Sequence, residues 1–265
     1  MLDQITPLIL TYDEAPNIER TLGKLRWARR IVVVDSGSTD GTLEILKRYA
    51  QVEVFHRRFI DFESQWNFGL SQITSPWVLS LDADYELSDD VIRELESLSP
   101  SSATMGYRAE FIYRIHGRPL RGSLYPPRVV LFRRGEAVYR QEGHTQQLAI
   151  AGEVLSLRGR IYHDDRKPLA RWVRSQQRYA REEAEYLATR RSFGAADRLR
   201  RMAWPAPLAV LIYTLLVKRC LFDGWPGWYY ALQRLIAEIL LALEILDRRL
   251  RGDSEGAARS IGAPR

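Results

Sequence analysis

The chain has 265 residues, 46% of them hydrophobic and 27% charged, enough to bury a substantial core and to exclude global disorder. A formal charge of +6 points to anionic partners: nucleic acid, phosphorylated ligands or an acidic membrane surface. The single cysteine, Cys220, excludes an intrachain disulfide and a multi-cysteine zinc site, as expected in a reducing compartment.

The opening "MLDQITPLILTYDEAP" lacks the basic start and long apolar core of a signal peptide, and its apolar run at 7–12 reads as a strand. A helix is expected over 15–25, with Ile18, Leu22 and Leu25 in register and Pro16 in its first turn. "IVVV" at 31–34 is β-branched on both faces, as in a parallel strand covered on both sides. "DSGSTDGT" then turns the chain into a helix, with Ser38 to Asp40 suited to capping it. Strands at 52–56 and 77–81 flank a helix at 63–73. This alternation predicts an α/β sandwich with a mainly parallel, Rossmann-like sheet.

In "SLDADYELSDD" an apolar strand ends in Asp82 and Asp84. Residues i and i+2 of a strand face one side, and two carboxylates that close repel unless a cation or proton lies between them. Ser88, Asp89 and Asp90 read instead as the cap and first turn of the next helix. Open α/β sheets bind ligands at the carboxyl ends of their strands, where Asp13, Asp35 and the Asp82/Asp84 pair all fall. Together they suit the base, ribose and metal–diphosphate of a nucleotide, with Asp84 ligating a hard divalent cation.

After residue 100 three longer, more polar strands follow, expected to be antiparallel, and then an amphipathic helix at 169–190. Residues 198–250 combine the basic "RLRR" with two apolar stretches, each short or interrupted for a bilayer span, and flanking tryptophans and tyrosines. They suit helices lying in a membrane interface, or else an oligomer contact. Residues 1–197 are expected to form the α/β domain and 251–265 a disordered tail.

"LTYDEAPNIERTL", "IVVVDSGSTDGT", "ESQWNFGL" and "WVLSLDAD", in this order, resemble the family 2 inverting glycosyltransferases of GT-A fold. "YPPRVVLFRR" and "LFDGWPGWYYA" are similar to the lipopolysaccharide core glucosyltransferase type. The resemblance implies Thr11, Tyr12 and Asp13 at the nucleotide edge, Asp35 on uracil, Asp82 on ribose or sugar, and Asp84 on Mg²⁺ or Mn²⁺. It places Gln65 and Asn67 near the nucleotide or donor sugar. Relatives often follow the acidic pair with glutamate; here Tyr85 intervenes before Glu86.

The implied reaction moves a sugar from a nucleotide-diphosphate sugar, a UDP-sugar by the uracil contact, to a lipid-linked saccharide at the inner leaflet. An inverting transfer needs a general base. Relatives carry histidine followed by an acidic residue, whereas this chain reads "YRQEGHTQQL". Glu142 is the first choice of base, with His144 and Asp164 as alternatives, and His163 could add a metal contact. Arg121 and Arg128 suit the donor diphosphate or a phosphorylated acceptor. Two other classes compete: a nucleotidyltransferase, whose glycine-rich loop is missing here, and a degenerate interaction protein, against which the intact Asp35, Asp82 and Asp84 argue. The charge alone would allow nucleic-acid binding, but no recognisable module accompanies it.

Overall fold

The computed structural model describes residues 1–142, 145–189 and 193–261, and side chains outside 141–146, 190–192 and 253–265. Its contacts divide into two units, Met1–Lys167 and Pro168–Arg265.

The first unit is a layered α/β structure. Strands β1 (Ile5–Thr11), β2 (Ile31–Asp35), β3 (Val52–His56) and β4 (Trp77–Asp82) alternate with helices α1 (Ile18–Gly23), α2 (Thr42–Leu46) and α3 (Phe62–Ser71). After β4 come β5 (Tyr85–Leu87), α4 (Asp89–Ser97), β6 (Thr104–Ile115), the short β7 (Arg118–Pro119) and β8 (Arg128–Arg133). β9 (Ala137–Glu142) and β10 (Thr145–Ile150) form a separate antiparallel hairpin, and β11 (Glu153–His163) ends the unit's sheet. The main sheet runs β3-β2-β1-β4-β8-β6-β11-β5, with β7 beside β6.

Strands β3, β2, β1 and β4 are parallel, as the β-branched runs predict. Residues of β2 alternate between two cores: Val33 packs with Ile9, Leu22 and Leu79, while Val32 and Val34 pack with Leu8, Trp66 and Leu70. Burial on both faces is what selects valine and isoleucine from Ile31 to Val34. Ser88 caps α4 through Val91 N, as the sequence indicates, and Asp61 caps α3 through Ser64 N. β8 is antiparallel to β4 and β6, but β11 is parallel to β6 where an antiparallel neighbour was expected. The connection through β7, β8 and the hairpin is long enough to return the chain to the same sheet end.

The second unit is helical: α5 (Leu169–Thr189), α6 (Ala195–Arg201), α7 (Pro205–Ile212) continued by a π turn at Tyr213–Val217, and α8 (Trp225–Ile261). α5 belongs here rather than to the sheet domain because its Ala180, Ala184 and Leu187 are buried with Leu241 and Ile245 of α8. The unit boundary therefore precedes α5, at residue 168 rather than after residue 197. α8 also continues to Ile261, through part of the expected tail, with Arg251 bonded one turn back to Asp247 at 2.9 Å. A Cβ on Gly227 would lie 1.8 Å from the Cys220 carbonyl oxygen, so only glycine lets α8 start there. Among the described residues, no helix is long and apolar enough to cross a membrane.

Candidate active site

The carboxyl ends of β1 and β2 are knitted together by Asp35. Its side chain is fully buried, and Oδ1 accepts from Thr11 Oγ1 at 2.9 Å and Ser38 Oγ at 2.5 Å. Oδ2 accepts from the Gly37 and Ser38 amides at 2.9 and 3.0 Å. Burial raises the Asp35 carboxyl, but these hydrogen bonds outweigh it and hold the group below its ordinary value. Asp13 takes a left-handed conformation, φ 52°, and accepts from Thr39 N at 2.7 Å. Asp40 accepts from Thr42 N at 3.1 Å, a local turn ahead of α2, whose cap is Gly41 without a side-chain bond rather than one of the expected residues 38–40. Tyr12 is 54% exposed at this edge. Gln65 is buried behind it, donating to Ser36 Oγ and the Arg57 carbonyl at 3.0 Å, with Oε1 unpartnered among the described residues. Asn67 is directed elsewhere: its amide brackets the Tyr139 backbone with two 2.9 Å bonds, pinning β9 to α3.

The acidic pair gains its setting from a distant strand. β5 runs antiparallel to β11 with Tyr85 opposite His163, which brings His163 Nε2 to 3.3 Å from Asp84 Oδ2. Burial would raise Asp84, but the His163 charge and hydrogen bond dominate and hold it well below the usual carboxylate range. His163 moves up for the reciprocal reason, against its own burial. Burial and the Asp84 charge push Asp82 up, with Arg128 opposing. The rings of Tyr85, Tyr113 and Tyr125 pack edge-on or tilted around His163, centroids 4.5 to 5.3 Å away, and the Tyr85 and Tyr125 hydroxyls are hydrogen-bonded. Nearby, Lys167 Nζ lies 2.8 Å from Glu14 Oε1, and the adjacent negative charges raise its pKa despite burial. Glu86 pairs with Arg114 at 3.5 Å.

A divalent cation fits this arrangement. Among the described residues Asp84 Oδ1 is buried without a hydrogen-bond partner, and His163 Nε2 faces the same carboxylate at 3.3 Å; an aspartate oxygen with an imidazole nitrogen is a usual partial donor set. Among the described residues no cluster of three His, Cys, Asp or Glu could hold a metal alone. Two side chains suffice where substrate phosphates complete the shell.

Beyond Asp82 opens a cavity of about 590 Å³, whose lining includes Trp66, Asp82, Arg108, Arg128 and Tyr139. Of the base candidates, Glu142 ends β9 with its side chain outside the described residues, and His144 lies outside them altogether. Asp164 is 1% exposed and gripped by Arg166 Nη2 at 2.7 Å and Nε at 3.0 Å, a poor setting for taking a proton. Arg121 is exposed on the loop before β8, while Arg128 turns to the cavity with its guanidinium over Tyr125. Tyr113, Tyr125, Lys167 and Glu14 went unnoticed in the sequence, because tyrosine, lysine and glutamate at such positions are ordinary until strand pairing brings them together.

Strand order and the acidic β4 terminus define a GT-A sheet. The chain resembles in fold a Pyrobaculum calidifontis mannosyltransferase solved with GDP-Man and Mn²⁺, at TM-score 0.54, 16% identity, and coverage of 92% of this chain and 87% of that one. Residues 8–98 match the model of glycosyl transferase family 2. The chain is 31% identical over 110 residues to the lipopolysaccharide core biosynthesis glycosyltransferase LpsC of Rhizobium meliloti, covering 39% of this chain and 40% of LpsC. An uncharacterized glycosyltransferase, RP128, of Rickettsia prowazekii aligns over 96% of this chain and 90% of its own length at 22% identity. Over residues 8–98 the chain therefore resembles glycosyl transferase family 2, with the lipopolysaccharide core type among the relatives it is similar to, and its fold is GT-A.

Proposed function

We propose that this protein transfers a sugar from a nucleotide-diphosphate sugar, a UDP-sugar by its resemblance to the family, to a hydroxyl of a lipid-linked saccharide, with inversion. The observation that carries this reading is the meeting of Asp84 with His163 beside Asp82, at the strand end where this fold binds ligands. Asp84 and His163 would hold Mg²⁺ or Mn²⁺, as the Mn²⁺ in the mannosyltransferase neighbour supports. When bound, such a cation offsets the charge that builds on the departing diphosphate.

The residues of the chain divide the remaining work. Thr11, Tyr12, Asp13 and Asp35 shape the nucleotide edge, and the buried Asp35 acts by setting the turn that receives the base. Asp82 faces the sugar. The acceptor oxygen attacks the anomeric carbon as the bond to the diphosphate breaks on the opposite face, and a carboxylate removes the hydroxyl proton. Glu142, at the end of β9, is the residue we assign to that proton, with His144 beside it in the chain.

The membrane partner belongs to the same proposal. Trp204, Leu208, Ile212, Leu216, Phe222 and Trp225 are each more than half exposed from the start of α7 to the start of α8, a pattern suited to a membrane surface, here the cytoplasmic one. A lipid-linked acceptor and its enzyme then share one surface.

Thermal-shift measurement with a panel of nucleotide sugars, with and without Mn²⁺ or Mg²⁺, tests the reading. The donor should raise the melting temperature only with metal, because ligands of the native state stabilise by mass action. No shift with any nucleotide sugar would overturn it.

A further inference from the structure

We propose that Asn17 is a positioning residue: its amide fixes Glu14 and Asp165 around the Lys167 ammonium and so holds that positive charge beside Asp84, where the donor diphosphate gathers. The inference rests on the glycosyltransferase reading and adds to it a residue that acts only through its neighbours.

Asn17 stands at the cap position of α1, where an asparagine ordinarily bonds the first turn of its own helix. Its side chain makes no such bond. It is 1% exposed, and it reaches across to the segment that follows β11. Nδ2 donates to Glu14 Oε2 and to Asp165 Oδ1, each at 2.9 Å. Oδ1 accepts from the Arg166 amide at 2.9 Å and from Arg20 Nη2 at 3.2 Å. A carboxamide has two N–H donors and one oxygen with two lone pairs, so this one is fully engaged. The partners also fix its orientation, because nitrogen faces carboxylates and oxygen faces N–H groups.

The two carboxylates it binds are the two that Lys167 touches. Lys167 Nζ lies 2.8 Å from Glu14 Oε1 and 3.4 Å from Asp165 Oδ1. Asn17, Glu14, Lys167 and Asp165 thus close a ring, in which the neutral amide and the ammonium both bridge a pair of like charges. The same segment is tied to the acidic pair through its backbone. Asp164 N donates to the Asp84 carbonyl at 3.2 Å, and Arg20 Nη2 donates to the Asp164 carbonyl at 2.7 Å. Burial opposes the charges of both Lys167 and Asp84, yet the Asp84 carboxylate raises the lysine, and Lys167 joins His163 in lowering the aspartate. Lysine is a point charge on a flexible stem. Held in place, it can stabilise charge growing on a departing diphosphate without having to reorganise.

Titration calorimetry of the full chain with UDP and with uridine, both in Mn²⁺, tests this, with the melting temperature recorded alongside. Asn17→Asp keeps the shape and both acceptor bonds but sets a third carboxylate against Glu14 and Asp165. It should weaken UDP binding about tenfold or more and leave uridine binding unchanged. Lys167→Gln should weaken UDP by a similar factor, and combining the two should add little, because both act through one charge. Exchanging the groups, Asn17→Asp with Asp165→Asn, restores a donor across the 2.9 Å bond and should recover part of the loss. If Asn17→Asp does not fold, Asn17→Ala, which adds no charge, is read with the same two probes. A lower melting temperature with UDP binding unchanged would overturn the proposal and leave Asn17 a purely structural clamp. Equal weakening of UDP and uridine, or additive losses in the double variant with Lys167→Gln, would overturn it too. Wild-type protein that binds no nucleoside diphosphate would overturn the parent reading and this one together, whereas failure confined to the variants leaves the parent standing.

Discussion

At the scale of single residues, Asp84 and Asp35 are both strand-end aspartates with depressed pKa values, yet they do different work. Asp84 is held charged by His163 and keeps one buried oxygen unpartnered among the described residues, whereas both oxygens of Asp35 are already engaged by protein donors. Asp84→Asn should abolish metal-dependent nucleotide binding and lower transfer by ~10²-fold or more, since an amide is a poor ligand for a hard cation. Full activity at unchanged metal would show that Asp84 is not the ligand. Asp35→Asn should act on stability as well, costing about 1–3 kcal/mol at neutral pH through the hydrogen bonds it disrupts. Because the folded-state pKa lies below the ordinary 3.8, that stability is present above this value and lost as pH falls through the folded pKa. The gap in melting temperature between wild type and Asp35→Asn should thus be full at pH 5–7 and close in stronger acid. Glu142→Gln should leave donor binding intact and lower kcat by ~10²-fold, the loss expected of a general base. If Asp164→Asn does this instead, the base has been misassigned.

At the scale of elements, β11 decides whether the site exists, because it carries His163 to Asp84. The strand is irregular between Ser156 and Arg160, and Glu94 of α4 accepts the Arg158 and Gly159 amides there at 2.9 to 3.0 Å. A Cβ on Gly159 would meet Val91 N at 2.8 Å and Val91 Cα at 3.0 Å, and this backbone cannot turn aside as a side chain would. Gly159→Ala should therefore cost about 1–3 kcal/mol, measured by urea unfolding, as overpacking does. It should also weaken metal-dependent nucleotide binding by shifting the strand that presents His163. Unchanged stability would mean that α4 and β11 separate more easily than their contacts imply.

At the scale of the molecule, the helical unit distributes apolar surface in an unusual way. α5 and α8 bury one stripe between them, while Trp204, Leu216, Phe222 and Trp225 stay exposed. Part of the basic cluster is internal: Arg200 pairs with Glu238 at 2.7 Å, so attraction to anionic lipid falls to its neighbours Arg198 and Arg201, about 1 kcal/mol each at best. Buried apolar area must then supply most of the membrane affinity. Full-length protein should float with anionic vesicles, and Phe222→Ser with Trp225→Ser should markedly reduce the floating fraction. Protein that ignores vesicles and forms stable dimers instead would assign these helices to an oligomer contact.

What the sequence by itself determined is local. β-branched runs specified the central parallel strands, short helical periods their partners, and a capping serine the start of α4. The acidic residues at strand ends were legible too, because a parallel sheet sends every strand end to one edge. Tertiary structure decided what depends on non-local pairing. Asn67, which reads as a nucleotide contact, is used to pin β9, and α5, which reads as part of the sheet domain, packs on α8. The β5–β11 register selected His163 as the partner of Asp84, and the approach of β8 to the hairpin region gathered Trp66, Arg128 and Tyr139 around one cavity. Residue type and spacing carry the first kind of information, since hydrogen bonds within an element span only a few residues. The second kind lies in how separate strands align, which no local period encodes.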